Sequence, residues 1–113
     1  MFKQVNRLKK EQDVKAVVKK GKSVFDPVCG VKFLANNSEH SRFVVVVGVR
    51  VHKSAVKRNR VKRQYREIVK AHLHEIVPGM DVVLLTSKAA LESDYQEKEE
   101  RLMRVLKKAK LLV

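Results

Sequence analysis

A chain of 113 residues with 26 Lys and Arg against 12 Asp and Glu carries a formal net charge of +14, and 44% of its residues are hydrophobic. That apolar content excludes a disordered basic tail, and the length suits a single domain over residues 1–113 with one modest core. No run approaches the ~18 apolar residues of a membrane-spanning helix, the opening "MFKQVNRLKK" lacks a signal-peptide apolar segment, and one cysteine, Cys29, excludes an internal disulfide framework. The expectation is a cytoplasmic protein with no membrane partner, in which Cys29 is a small buried apolar residue.

In chain order, "RLKKEQDVKAVVKKG" predicts a first helix. Val14, Val17 and Val18 are spaced i, i+3, i+4, and Gly21 suits a C-terminal cap. "KSVFD" and "VCGVKFLA" read as two short strands broken near Asp26-Pro27, and "NNSEHS" (36–41) as a polar turn. The β-branched run "RFVVVVGV" (42–49) predicts a strand covered on both faces. A long basic helix follows, with Ser54 as N-cap and an end before Pro78-Gly79. "MDVVLLT" (80–86) is a second buried strand, so strand, helix and strand imply a parallel crossover pair. The last helix runs from Asp94 to the C-terminus. Ser93 and Gln96 match a capping box, acids crowd its start, lysines its end, and Tyr95, Leu102, Leu106, Ala109 and Val113 form its stripe. The order is αβββαβα, an α/β two-layer sandwich with a mixed four-stranded sheet and three helices.

The charge is unevenly placed along these elements. Residues 1–42 carry ten basic and four acidic side chains, residues 50–74 nine and one, and residues 75–113 seven of each. A one-sided surplus is the electrostatic footprint for a partner that is nucleic acid or an anionic membrane, and the absence of a spanning or signal segment weakens the membrane option. The surplus peaks in "KRNRVKRQYREIVK" (57–70), which has seven Lys or Arg and one acid, Glu67. On a helical wheel Val61, Tyr65, Ile68, Val69, His72, Leu73 and Ile76 gather on one side. Asn59, Arg60, Arg63, Arg66 and Lys70 occupy the other, with Arg58 and Lys62 at the boundary or first turn. A merely solvated face usually mixes signs for i, i+4 pairing, and here only Glu67 offers a partner. Arg forks grip phosphate bidentately, and Asn59 offers a donor and acceptor to a sugar or base. A strand, not a helix, precedes this element, which argues against helix-turn-helix DNA reading and for structured RNA.

"AVKRNRVKRQYREI" (55–68) resembles the signature of the bacterial ribonuclease P protein component, in which Arg-Asn-Arg opens a basic helix. "RLKK" before the first helix, the Gly that closes it, a strand ending in Arg50, and "DVVLL" after the basic helix extend the resemblance over nearly the whole chain. It implies a non-catalytic subunit of a ribozyme whose RNA, with Mg²⁺, hydrolytically removes the 5′ leader of precursor tRNA. No catalytic or metal-binding residue of the chain itself, and no obligate protein partner, is implied. Docking on ribonuclease P RNA then falls to Arg58, Asn59, Arg60, Lys62, Arg63, Arg66 and Lys70. Precursor tRNA places its leader in a cleft between the first helix and the sheet, assigned to Val14, Val18, Phe25, Phe33 and Arg50. The resemblance also implies a left-handed βαβ crossover, against the general right-handed preference.

The sequence departs from the family's pattern at the cleft. Val14 and Val18 stand where aromatics are common on the first helix, Arg50 and Val51 where the family pairs lysines, and Lys53 where a Gly is usual. Leader contacts then rest on charge or on Phe25, Phe33 and Phe2. Two alternatives remain open: a general or ribosomal RNA-binding protein, and a protein-only nuclease. His40, His52, His72 and His74 are scattered, with His72 read as a core-edge residue and no metal spacing completed. Asp81 reads as a cap or surface turn.

Overall fold

Four short apolar runs pair into one mixed sheet in the computed structural model, which describes residues 3–48 and 50–113. Phe2 and the last position of the 42–49 run lie outside those residues. The strands are β1 (Lys22–Phe25), β2 (Cys29–Ala35), β3 (Arg42–Val46) and β4 (Met80–Thr86), ordered β1-β2-β4-β3. β2 runs antiparallel to β1 and β4, while β3 and β4 are parallel, with Arg42 opposite Asp81 and Val46 opposite Leu85. The parallel pair is joined by the basic helix, α2 (Ala55–His72), as the strand–helix–strand order required.

Because strand side chains alternate between faces, the sheet sorts its residues into two clusters. Val31, Phe43, Val45, Val82 and Leu84 meet Val61, Tyr65, Ile68 and Val69 of α2, and Leu102, Val105 and Leu106 of the last helix, numbered α4 (Tyr95–Lys108). On the other face Val83, Leu34, Val44 and Leu85 meet Leu8 and the first helix, α1 (Glu11–Lys20), through Val14 and Val17. α1 lies over β2 and β4. It leaves β3 partly open, with Val44 half-buried and Val46 exposed, so the fully covered strand expected over 42–49 is corrected on one face. An unbroken valine run cannot tell a covered face from a half-open one.

The helix ends differ from the sequence reading for local reasons. α2 stops at His72, and a 3₁₀ turn, Leu73–Glu75, brings Ile76 to pair with Leu112. A single added turn, α3 (Ala89–Glu92), buries Ala90. Asp94, not Ser93, caps α4, its Oδ1 accepting the Glu97 N–H at 2.8 Å, while Ser93 Oγ donates to the Ala89 carbonyl. α4 ends at Lys108, and Lys110 takes a left-handed φ of 61°, which turns Leu111 back into the core and leaves Val113 exposed.

Asp81 is neither cap nor surface turn. It is buried at the head of β4, accepts from Arg42 Nε and Nη2 at 2.8 and 2.6 Å, and accepts from Asn36 Nδ2 at 2.8 Å. Arg42 also lies 3.6 Å from Asp13 of α1. One guanidinium therefore ties β3, β4 and α1 together, and Asn36 adds the 36–41 turn. With its oxygens so engaged, Asp81 is structural.

Gly21 is the C-cap of α1 at φ −72°, and its N–H bonds the Val17 carbonyl at 2.8 Å. Its backbone approach is what demands glycine: an added Cβ would lie 2.5 Å from Val17 O and 2.7 Å from Phe33 O, both main-chain atoms. Gly21→Ala is predicted to lower stability by ~1–3 kcal/mol, the range for forced overpacking, in denaturant unfolding. An unchanged unfolding midpoint would mean that α1 can shift off β2 freely.

Candidate nucleic-acid interface

The first turn of α2 is fixed from two sides. Ser54 Oγ accepts the Lys57 N–H at 3.4 Å, and the Ser54 N–H donates to His52 Nδ1 at 2.9 Å. From there the 3.6-residue period sends Val61, Tyr65, Ile68 and Val69 into the core and leaves Asn59, Arg60, Arg63, Arg66 and Lys70 exposed. Lys62 and Arg58 are half-buried, as their boundary positions implied, and Arg58 Nε is buried without a hydrogen bond. Among the described residues no carboxylate lies within ion-pairing range of Arg58, Arg60, Lys62, Arg63, Arg66 or Lys70. The face is a rigid, uncompensated array of guanidinium and ammonium groups.

Tyr65 anchors the array with no exposed surface. Its hydroxyl finds no hydrogen-bond partner of ordinary geometry and sits against the Cys29 thiol, a weak acceptor at best. Burial raises the Tyr65 pKa and pushes the Cys29 thiol up to about 11, so Cys29 is a protonated core residue without thiolate reactivity. Nearby, burial works to raise the Asp26 pKa, but the Val28 N–H and the Arg101 guanidinium outweigh it and hold the carboxyl below its ordinary range.

The cleft residues are only partly brought together. Val14 is half-buried against the second cluster, and Val18 stands 44% exposed one turn later on α1. Phe25 shares that face by register: it opposes Gly30, and its ring fills the place a Gly30 Cβ would take, 2.2 Å from Phe25 Cδ1. The row continues through Leu85 to Val46 across the sheet, and Phe25 remains 57% exposed. Phe33 does not belong. It opposes Val82 and packs on the α2 side of the sheet, so its assignment to the α1 cleft is corrected by the alternation of β2. Arg50 is exposed in the turn beyond β3. Lys32 was missed, though its place between Val31 and Phe33 aims it at α1, where Nζ reaches the Val18 carbonyl at 3.4 Å.

The end of α2 carries a charge cluster. His72 Nδ1 contacts Glu75 Oε2, and Nε2 lies 2.9 Å from Glu99 Oε2 on α4. With both ring nitrogens facing carboxylates, the favoured form is the imidazolium, and the Glu75 and Glu99 hydrogen bonds raise its pKa. Among the described residues no three His, Cys, Asp or Glu side chains are grouped to hold a metal ion, and no helix is long and apolar enough to cross a membrane.

The chain is similar to known proteins over nearly its full length. The family described as Ribonuclease P matches residues 2–110. The ribonuclease P protein component of Pseudanabaena sp. (strain PCC 6903) is 35% identical over 108 residues, which span 95% of this chain and 93% of that one. The one from Streptococcus pyogenes serotype M5 (strain Manfredo) is 34% identical over 111 residues, 98% and 92% of the two chains. Among solved structures, the RNase P protein of Staphylococcus aureus superposes with a TM-score of 0.87 at 30% identity, covering 96% and 98% of the chains. That of Thermotoga maritima gives 0.83 at 31%, covering 90% and 96%.

His72 supplies a pH prediction. Its folded pKa is raised above the ordinary 6.5, so its contribution is fully present below that value and is lost as pH rises through the folded pKa. The unaltered protein should exceed His72→Gln in melting temperature most at about pH 6, with the gap closing at higher pH. A gap that stays constant with pH would show that the ring is held neutral.

Proposed function

The chain belongs to the ribonuclease P protein family, and from that premise we propose that it docks on ribonuclease P RNA through Arg58, Asn59, Arg60, Lys62, Arg63, Arg66 and Lys70. The observation that carries this reading is the outward face of α2, where cations stand on a rigid helix with Glu67 as the one acid on α2 and no carboxylate in ion-pairing range of them among the described residues. Such a face costs folding free energy through like-charge repulsion and gains it back only against a polyanion. Guanidinium groups spaced along one helix grip successive phosphates, and the affinity they supply falls steeply with salt because each contact releases counterions.

On the same reading the leader of precursor tRNA lies in the half-open face beside α1, over Val18, Phe25 and the partly covered edge of β3, with Val14 beneath and Arg50 at the end. Phe25 supplies, from β1, an aromatic surface of the kind α1 lacks. A base stacked on such a ring gains ~1–3 kcal/mol, and Lys32 adds charge beside it. Phe33 takes no part. Mg²⁺ acts through the RNA, which holds the hydrolytic chemistry, while this chain binds and orients. Restoration of low-Mg²⁺ leader cleavage to ribonuclease P RNA separates this function from that of a general RNA-binding protein.

Arg60→Ala/Arg63→Ala is predicted to unfold like the unaltered protein, since surface changes shift stability by about 0.5 kcal/mol or less. RNA affinity and low-Mg²⁺ cleavage should fall together, and high Mg²⁺ should restore most of the cleavage. Early unfolding would make these residues structural. Cleavage lost at every Mg²⁺ concentration with binding intact would place the protein in the chemistry. For the cleft, Val18→Phe should tighten binding of leader-bearing precursor more than that of mature tRNA, and equal effects on both would remove Val18 from the leader path.

A further inference from the structure

Alongside the first two turns of α2 runs a groove of about 660 Å³. One wall is Lys57, Arg60 and Gln64; the other, from the α3–α4 junction, is Glu92, Asp94 and Tyr95. Behind it lies Lys98, only 2% exposed, whose ammonium donates to the Ser93 carbonyl. Lysine is almost never buried to this degree without an acid partner, and none lies in ion-pairing range among the described residues. Burial, with help from the Arg60 charge, lowers the Lys98 pKa against the opposing pull of Asp94. Burying this cation costs free energy, and what it secures is the Ser93 carbonyl at the turn into α4.

The opposite signs of the two walls decide the ligand chemistry. A continuous run of phosphates would be repelled by Glu92 and Asp94, and a small cation by Lys57 and Arg60. A single nucleotide satisfies both walls, with its phosphate on the basic side and its amino or 2′-hydroxyl donors on the carboxylates. Asp94 uses Oδ1 to cap α4, which leaves Oδ2 for such a donor. Tyr95, 37% exposed, offers the stacking surface.

We propose that this groove receives one unstacked nucleotide of the partner RNA, held between the basic helix and the α3–α4 junction. The proposal rests on the reading of α2 as the RNA-docking helix and gives that helix a second, base-reading wall, with Lys98 as a positioning residue.

The test measures binding of ribonuclease P RNA over a salt series by the full chain and by Tyr95→Leu, Asp94→Asn and Arg60→Ala. Asn preserves the helix cap, so Asp94→Asn changes charge without unfolding α4, and it carries the test alone should Tyr95→Leu unfold. Tyr95→Leu and Asp94→Asn should each weaken binding about tenfold with the salt slope unchanged. Arg60→Ala should weaken binding and reduce the slope by about one. The Asp94 result is decisive in sign, because simple repulsion from RNA predicts tighter binding once that charge is removed. Either folded variant binding as well as the unaltered protein, while Arg60→Ala is weakened, overturns the nucleotide groove. Arg60→Ala binding normally overturns the docking-helix reading instead.

Discussion

The apolar stripe of α2, Val61, Tyr65, Ile68 and Val69, works against repulsion among the seven Lys and Arg of residues 57–70. The magnitudes show which wins. Fully burying one such side chain contributes ~1.5–3 kcal/mol, whereas a like-charge pair one turn apart costs ~0.2–0.5 kcal/mol. Four buried anchors outweigh the handful of pairs on the outer face, so the helix is held by its inner side and its cations are presented in fixed order. The parallel sheet beneath, the crossover that places α2 over it, and α4 beside it all serve that burial.

The C-terminal third is neutral by count yet not idle. α4 meets the far end of the basic helix through a polar tie from Glu99 to His72, while Lys98 closes its own first turn on the Ser93 carbonyl beside the groove that Arg60 lines. The acids at the start of α4 therefore do more than complement its dipole. Glu99 holds the far end of α2, while Asp94 and Glu97 serve α4 itself.

Much of this was legible in the residues. The 3.6-residue stripe of α2 and the bounds of β4 follow from local pattern alone, because burial and backbone period coincide there. The misreadings share a cause, which is tertiary partnership that local pattern does not encode. Phe33 has the aromatic character of a leader contact, but its parity with Val31 places it on the α2 face. Asp81 read as a surface residue because its partner, Arg42, is 39 positions away. The α4 stripe was carried through Val113 because nothing in "KKAKLLV" announces the left-handed turn at Lys110. Buried Lys98 was invisible, since a lysine among glutamates reads as solvated. The hand of the crossover is likewise absent from periodicity.

The strand order β1-β2-β4-β3 places at the centre the strand that comes last in the chain. β4 pairs with β2 and β3 across separations that include the whole of α2, so few of the sheet's contacts are local, and loop closure must precede the contacts that reward it. As the chain leaves a ribosome, β1 and β2 can form a hairpin at once and β3 can meet the segment at Arg7 and Leu8, but β3 lacks its sheet neighbour β4, and α2 its floor, until about residue 86 has emerged. During that interval the most cationic segment of the protein is an unsupported peptide in a compartment crowded with RNA. Anchoring of α2 thus comes at the end of assembly, and the geometry that distinguishes one polyanion from another exists only once the final strand has slid into the middle of the sheet.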